Sequence, residues 1–195
     1  MIHLDVVSIN IGGLKSIERR QLLFNFCRDG DFGVVGLQEV AFHICPIIES
    51  RYHLFTNLGP NKNGTAILLK HGLNHSRLLL DPDGRVISIY LRLSFTFINI
   101  YAPSGDQAKD ERDNFLRCTI PAYALNSRLP LVLIGNFNCV DDFQNRTQTT
   151  SRKYLSQTIS FALKEMIAGL DLVDICKKLK NDEIGHTFHH PFGSS

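Results

Sequence analysis

The sequence contains no paired cysteine motif that would indicate a disulfide framework. Its five cysteines are odd in number and scattered, and none stands in a C-x-x-C pair: they are Cys27, Cys45, Cys118, Cys139 and Cys176. Free thiols in a reducing compartment account for this usage most simply, because disulfides persist mainly in oxidising environments. We therefore expect an intracellular protein.

Long apolar runs and a strong net charge are also lacking. No segment approaches the length of a transmembrane helix, and no cationic, apolar leader precedes Asp5, so we expect no membrane partner. The formal net charge is only +2, which neither demands nor excludes nucleic acid, since a balanced total can hide a basic stripe. Without repeats, linkers or low-complexity tracts, the 195 residues suit a single domain.

Four apolar runs each end in a polar group. The run Leu131-Val132-Leu133-Ile134 does not alternate and is bounded by Pro130 and Gly135, which predicts a short strand buried on both faces. The polar groups that follow the four runs are Asn10, the pair Gln38 and Glu39, Tyr101, and the pair Asn136 and Asn138. Ligands gather at the carboxyl ends of strands in open α/β sheets, so the set indicates one pocket. Any one of them alone would be read more simply as a strand that finishes in a polar loop.

The order of elements predicts an α/β (α+β) protein with mixed sheets. Turn residues over 57–64 and over Asp81-Pro82-Asp83-Gly84 predict two hairpins. Helical patterns cover 15–29, a short stretch near 46–51, 106–126, 151–167 and 170–180, and the third of these is expected to break before Pro121.

The polar strand ends suggest phosphate chemistry assisted by a cation. Glu39 is the one unambiguous acid at a strand end, and an amide carbonyl from Asn10 beside it would hold Mg²⁺ loosely. Tyr101 offers a phenol to a phosphate oxygen, and Asn138 could orient an attacking water. A general base is missing, because Asn136 carries no titratable carboxylate.

Two weaker candidates lie near the end of the chain. His186, His189 and His190 invite a zinc interpretation, but no cysteine or acid stands at ligand spacing, so a solvated or groove-lining loop is favoured. Lys177, Lys178 and Lys180 could touch a DNA backbone, although a solvated helix face explains them better.

Six short segments together resemble the endonuclease/exonuclease/phosphatase superfamily, and more narrowly the endonuclease domain of LINE-type (non-LTR) retrotransposon polyproteins. Each segment is weak alone, but six in the correct order are specific. They are Ser8-Ile9-Asn10-Ile11-Gly12-Gly13-Leu14, Leu37-Gln38-Glu39-Val40, Gly64-Thr65-Ala66-Ile67-Leu68, Asn99-Ile100-Tyr101-Ala102-Pro103-Ser104, Gly135-Asn136-Phe137-Asn138-Cys139-Val140 and His186-Thr187-Phe188-His189-His190-Pro191.

The resemblance implies a DNase I-like, four-layer sandwich in which helices flank two mixed sheets. It also implies cleavage of a phosphodiester in double-stranded DNA with Mg²⁺, or Mn²⁺, as cofactor. By position, Glu39 would be the metal ligand, Asn10 would support the metal or phosphate site, Tyr101 would contact the scissile phosphate, and Asn138 would help place the nucleophile. In LINE-type relatives the nicked strand primes a neighbouring reverse transcriptase domain, which implies a nuclear location.

Two departures from the family pattern concern the activity of this chain. The family has Gly-Asp-Phe-Asn where this chain has Gly135-Asn136-Phe137-Asn138, and general acid–base assistance is typically worth about 10²–10⁴-fold in rate. The family also continues with further strands and a Ser-Asp-His segment, so we expect a single domain over residues 1–195 that lacks its C-terminal strands.

Both departures predict impaired cleavage. A non-catalytic nucleic-acid-binding remnant is one alternative, and a phosphatase or phospholipid phosphodiesterase on the same fold is another, because fold does not determine substrate.

Overall fold

The computed structural model of the chain describes residues 4–60, 64–92, 95–125, 127–141, 159–175 and 178. The chain divides into two compact units, one formed by Met1–Ala102 and Tyr123–Asn136, the other by Pro103–Ala122 and Phe137–Ser195. That residues 1–195 form one domain stays a prediction.

The first unit contains a mixed sheet built from the first four strands. These are β1 (Val6–Gly13), β2 (Val34–Val40), β3 (Tyr52–Leu58) and β4 (Gly64–Lys70), in the order β1-β2-β4-β3. β1 and β2 run parallel, whereas β4 is antiparallel to both β2 and β3. The hairpin predicted around residues 57–64 is therefore present.

A second mixed sheet in the same unit follows in the chain. It contains β5 (His75–Leu80), β6 (Val86–Leu91), β7 (Thr96–Tyr101) and β8 (Leu131–Asn136), in that order. β7 and β8 run parallel, and the other neighbours are antiparallel. The predicted Asp81–Gly84 turn joins β5 to β6.

The helix α1 (Ile17–Asp29) covers one face of the first sheet. It begins where the Ser16 side chain accepts a hydrogen bond from Arg19 N at 3.3 Å, and its C-cap is Gly30, as the sequence predicts. Leu23 and Cys27 on this helix are buried in one cluster with residues of β2 and β4. The short α2 (Pro46–Glu49) adds Ile48 to that cluster.

The opposite face of the first sheet packs on the second sheet. Val34, Ile67, Ile89 and Phe97 belong to the buried cluster between them. Nearly all of β2 is buried because α1 covers one of its faces and the second sheet covers the other, which explains why its sequence does not alternate. In contrast, all six residues of β8 are only partly buried, so the expectation that residues 131–134 are buried on both faces is wrong.

A run of helical segments follows β7 along the chain. A 3₁₀ turn (Asp106–Ala108) leads into α3 (Lys109–Asn114), a π-helical turn (Phe115–Thr119) and α4 (Ile120–Ala124). The helix does not break before Pro121, contrary to the sequence prediction. Proline lacks an N–H group and its ring crowds the carbonyl four residues earlier, and a wider turn relieves that clash. Ile120 N accordingly bonds to Phe115 O, five residues back.

The structure describes part of the two helices predicted over 151–167 and 170–180. Within that part a helix, α5 (Phe161–Gly169), begins at Ser160, whose side chain accepts from Leu163 N at 3.2 Å. Residues 172–174 are not helical, so the helix predicted over 170–180 does not start where expected. The C-terminal histidines lie outside the described residues, as do Lys177 and Lys180. In the described part of the chain, no helix is long and apolar enough to span a membrane.

Candidate active site

The parallel pair β1 and β2 brings an amide and a carboxylate together. Asn10 is paired in register with Gln38, and its Nδ2 donates a hydrogen bond to Glu39 Oε1 at 2.8 Å. The other end of the Asn10 amide is also held, since Gly12 N donates to Asn10 Oδ1 at 3.1 Å. Asn10 therefore orients the carboxylate of Glu39.

The second sheet supplies the phenol. Tyr101, the last residue of β7, donates its hydroxyl to Glu39 Oε1 at 3.1 Å. One carboxylate oxygen thus accepts hydrogen bonds from two residues, one on each sheet, which are 29 and 62 positions away in sequence. The structure brings together three of the predicted site residues, Asn10, Glu39 and Tyr101.

Glu39 lies in an irregular part of β2 that the sequence does not reveal. It has a φ of +57°, and the pairing of β2 with β4 shifts register between Gln38 and Val40. A β-bulge of this kind re-aims a side chain, and a non-glycine residue in the left-handed region costs of order 1–3 kcal/mol. Glu39 is therefore held inside the strand at a strained position instead of following the strand end.

The structure places Asn136 next to Tyr101 along the second sheet. The two residues are register partners on β8 and β7, and Ala102 N donates to Asn136 O at 2.9 Å. Asn138 follows two residues later with a φ of +51° and belongs to the second unit. Its role in placing a nucleophile stays a prediction.

The donor set at Glu39 fits a hard divalent cation that keeps most of its waters. The residue is half-buried, and within the described ranges no group bonds to its Oε2 atom, which leaves that oxygen available. Those ranges also contain no cluster of three or more His, Cys, Asp or Glu side chains suited to a metal. A single carboxylate is consistent with Mg²⁺ or Mn²⁺ held by few protein ligands. Asn10 as a direct ligand stays a prediction, because its amide oxygen faces Gly12 N.

Cys139 offers no nucleophile to this chemistry. Burial raises the pKa of its thiol to about 11, and the nearby Arg112 guanidinium only partly offsets that effect. The thiol is therefore protonated at neutral pH, whereas the reactive form of cysteine is the thiolate.

Two buried amides of the site region have no role that the sequence alone assigns. Gln38 and Asn99 are 1% and 0% exposed, and both lie within otherwise apolar strands. Their signal in the sequence is that pattern, since a polar residue inside a buried strand must find hydrogen-bond partners.

Two mixed four-stranded sheets flanked by helices define a DNase I-like fold, and the predicted fold class is confirmed. The chain is similar to an AP endonuclease from Archaeoglobus fulgidus, with a TM-score of 0.79, 15% identity, and coverage of 98% of this chain and 80% of that one. It is also similar to the AP endonuclease LMAP from Leishmania major, with a TM-score of 0.70, 16% identity, and coverage of 92% and 70%. The chain belongs to the endonuclease/exonuclease/phosphatase family, whose model matches residues 7–193.

TDP2 from Caenorhabditis elegans is a more partial match. The TM-score is 0.56 at 16% identity, and the alignment covers 71% of this chain but 48% of TDP2. The superfamily predicted from the sequence is thus confirmed, and with it a fold used by hydrolytic nucleases and phosphodiesterases. The LINE-type origin stays a prediction.

Proposed function

We propose that this chain is a divalent-cation-dependent DNA endonuclease domain of LINE-type retrotransposon origin, with weak activity. The observation that carries the proposal is the convergence of Asn10 and Tyr101, from two different sheets, on one oxygen of Glu39. Remote polar groups that meet around a half-buried carboxylate are typical of a site rather than of ordinary strand ends.

Each residue of this cluster has a separate task. Glu39 would hold Mg²⁺ or Mn²⁺ through its carboxylate, and that cation, when bound, supplies positive charge beside a phosphate. Asn10 keeps the carboxylate oriented by its 2.8 Å hydrogen bond. The phenol of Tyr101 is a donor beside the same carboxylate, so it can bind an oxygen of the phosphodiester. Asn138 is proposed to place the attacking water.

Asn136 limits the rate. The residue adjoins Tyr101 in the sheet, where the family has an aspartate that handles the proton of the water or of the leaving group. An amide cannot accept that proton, so the missing assistance lowers the rate by about 10²–10⁴-fold. The same residue supports the second candidate function, a non-catalytic remnant that binds DNA without cutting it.

The proposed partners follow from the retrotransposon interpretation. Double-stranded DNA would be the substrate, a reverse transcriptase domain would use the nicked end, and the nucleus would be the place of action. Binding to the DNA backbone should weaken steeply as salt rises, because counterions are released on binding.

A supercoiled-plasmid nicking assay tests the proposal through Asn136→Asp. With Mg²⁺ or Mn²⁺ present, this variant should convert supercoiled DNA to open circles about 10²–10⁴ times faster than the unsubstituted chain. The gain should vanish when Glu39→Gln is added or when the cation is chelated.

Three outcomes separate the two functions. Nicking by Asn136→Asp that needs Glu39 supports the endonuclease. Salt-dependent DNA binding without nicking, in a variant whose circular dichroism matches that of the parent, supports the binding remnant. Folded protein that neither binds nor nicks DNA contradicts both.

A further inference from the structure

One buried side chain bonds the two sheets together beneath the candidate site. Asn99 on β7 is fully buried, and its Nδ2 donates to Leu37 O and to Ala66 O, both at 2.9 Å. These carbonyls belong to β2 and β4 of the first sheet, so one amide from the second sheet holds two strands of the first.

A second buried amide extends the connection to β1. Gln38 Nε2 donates to Asn99 Oδ1 at 2.6 Å and to Ser8 Oγ at 3.0 Å. Three strands that carry site residues, β1, β2 and β7, are therefore joined by directional bonds in the interior of the sandwich.

The position of each amide along its strand is significant. Gln38 directly precedes Glu39, and Asn99 precedes Tyr101 by two residues on the same strand. Elsewhere the sheets meet through apolar packing, which is non-directional. They also meet through hydrogen bonds that Asn57 and Thr65 donate to Asp81, Gly84 and Val86, none of which is a predicted site residue. A slide of one sheet on the other beneath the site would break hydrogen bonds of amides that have no water to replace them, which is costly.

We propose that Gln38 and Asn99 are positioning residues that set the distance between Glu39 and Tyr101 and so determine the affinity for the divalent cation. The claim about cation affinity rests on the proposed function, whereas the claim about the distance between Glu39 and Tyr101 does not. Residues that orient a metal ligand typically change metal affinity about 10–100-fold when they are removed.

The test is the double variant Gln38→Leu/Asn99→Leu. Replacing both amides leaves neither of them unsatisfied, whereas removing one leaves the other without its partner. Leu37 O and Ala66 O still lose a donor, so the double variant should be less stable than the parent. The matched control is Asn57→Leu on β3. Asn57 is 8% exposed, and its amide donates to Asp81 Oδ1 and to Val86 O, both at 2.8 Å, so it also links the sheets. It lies on a strand without site residues.

Mn²⁺ binding is measured by calorimetry and unfolding by thermal melts, with the full chain in every case. The double variant should bind Mn²⁺ about 10–100-fold more weakly than the parent, while Asn57→Leu binds it normally even where its melting temperature falls further. A double variant that binds Mn²⁺ as tightly as Asn57→Leu overturns the proposal.

Glu39→Gln separates the proposal from the proposed function. If Glu39→Gln binds Mn²⁺ like the parent, or if the parent binds none, the proposed cation site is wrong. Crystal structures of the parent and the double variant then test whether Gln38 and Asn99 set the distance between Glu39 and Tyr101. The positioning role is overturned if the distance between Tyr101 Oη and Glu39 Oε1 remains 3.1 Å in the double variant. It is supported if that distance becomes too long for a hydrogen bond. Should the double variant not fold, Mn²⁺ affinity and the Tyr101–Glu39 distance are measured in Gln38→Met, which keeps the length of the side chain, loses its two donated hydrogen bonds and leaves the donors of Asn99 in place.

Discussion

Gly135 lies on β8 where a side chain would meet the backbone of β7. Its φ is +137°, and a Cβ atom added there would stand 2.1 Å from Ile100 O. Gly135→Ala should therefore lower the free energy of unfolding by about 1–3 kcal/mol, because neither the backbone angle nor the space suits a side chain. Urea denaturation of the purified chain measures the change.

Gly169→Ala is the matched control for this prediction. Gly169 ends α5, and an added Cβ would meet nothing within 4 Å. Alanine favours the helix by roughly 0.5–1 kcal/mol relative to glycine, so this variant should be neutral or more stable. Equal losses in the two variants would show that crowding at Gly135 is not the cause.

The candidate site could be predicted in part from single residues. Asn10, Glu39 and Tyr101 were identified because polar groups at strand ends converge, and the contacts at 2.8 and 3.1 Å agree with that expectation. The left-handed backbone of Glu39 could not be predicted, because a tertiary setting imposes it on a residue that disfavours it. The hydrogen-bonded pairing of Gln38 with Asn99 likewise joins residues 61 positions apart and leaves no local pattern.

At the scale of elements, α1 depends on its N-cap. Ser16 has an extended backbone, and its side chain satisfies one of the four N–H groups that a helix start leaves without partners. Ser16→Ala should cost about 0.5–2 kcal/mol of stability by chemical denaturation. Ser76→Ala on β5, an exposed serine, is the control and should change stability little. A Ser16→Ala variant as stable as the control would exclude the capping role.

The sequence predicts a turn, helix or strand correctly where interactions between nearby residues determine it. The β5–β6 turn is one such case, since Asp81 Oδ1 accepts from Val86 N at 2.6 Å and Oδ2 accepts from Asp83 N at 3.3 Å. The continuous helix through Pro121 was not predictable, because a π-helical turn absorbs the clash that normally ends a helix. The strand order β1-β2-β4-β3 also required the structure, since sequence patterns mark strands but not their neighbours.

At the scale of the whole molecule, the first unit encloses a thiol that can report on its unfolding. Cys27 is 0% exposed between α1 and the first sheet, and Tyr52 donates its hydroxyl to Cys27 O at 2.9 Å. Burial raises the pKa of Cys27 to about 12, so this thiol is almost entirely protonated at pH 8. Because the thiolate is the reactive form, alkylation of Cys27 requires the unit to open.

This arrangement predicts two very different labelling rates in one chain. Cys118 is exposed, so iodoacetamide at pH 8 should label it first, while Cys27 should react at the rate of unfolding. Mass spectrometry of digests taken over time measures both rates. Urea below the unfolding midpoint should raise the logarithm of the Cys27 labelling rate about linearly with urea concentration and leave Cys118 nearly unaffected. Labelling of Cys27 as fast as Cys118 in native buffer would mean that α1 does not seal the core against the reagent.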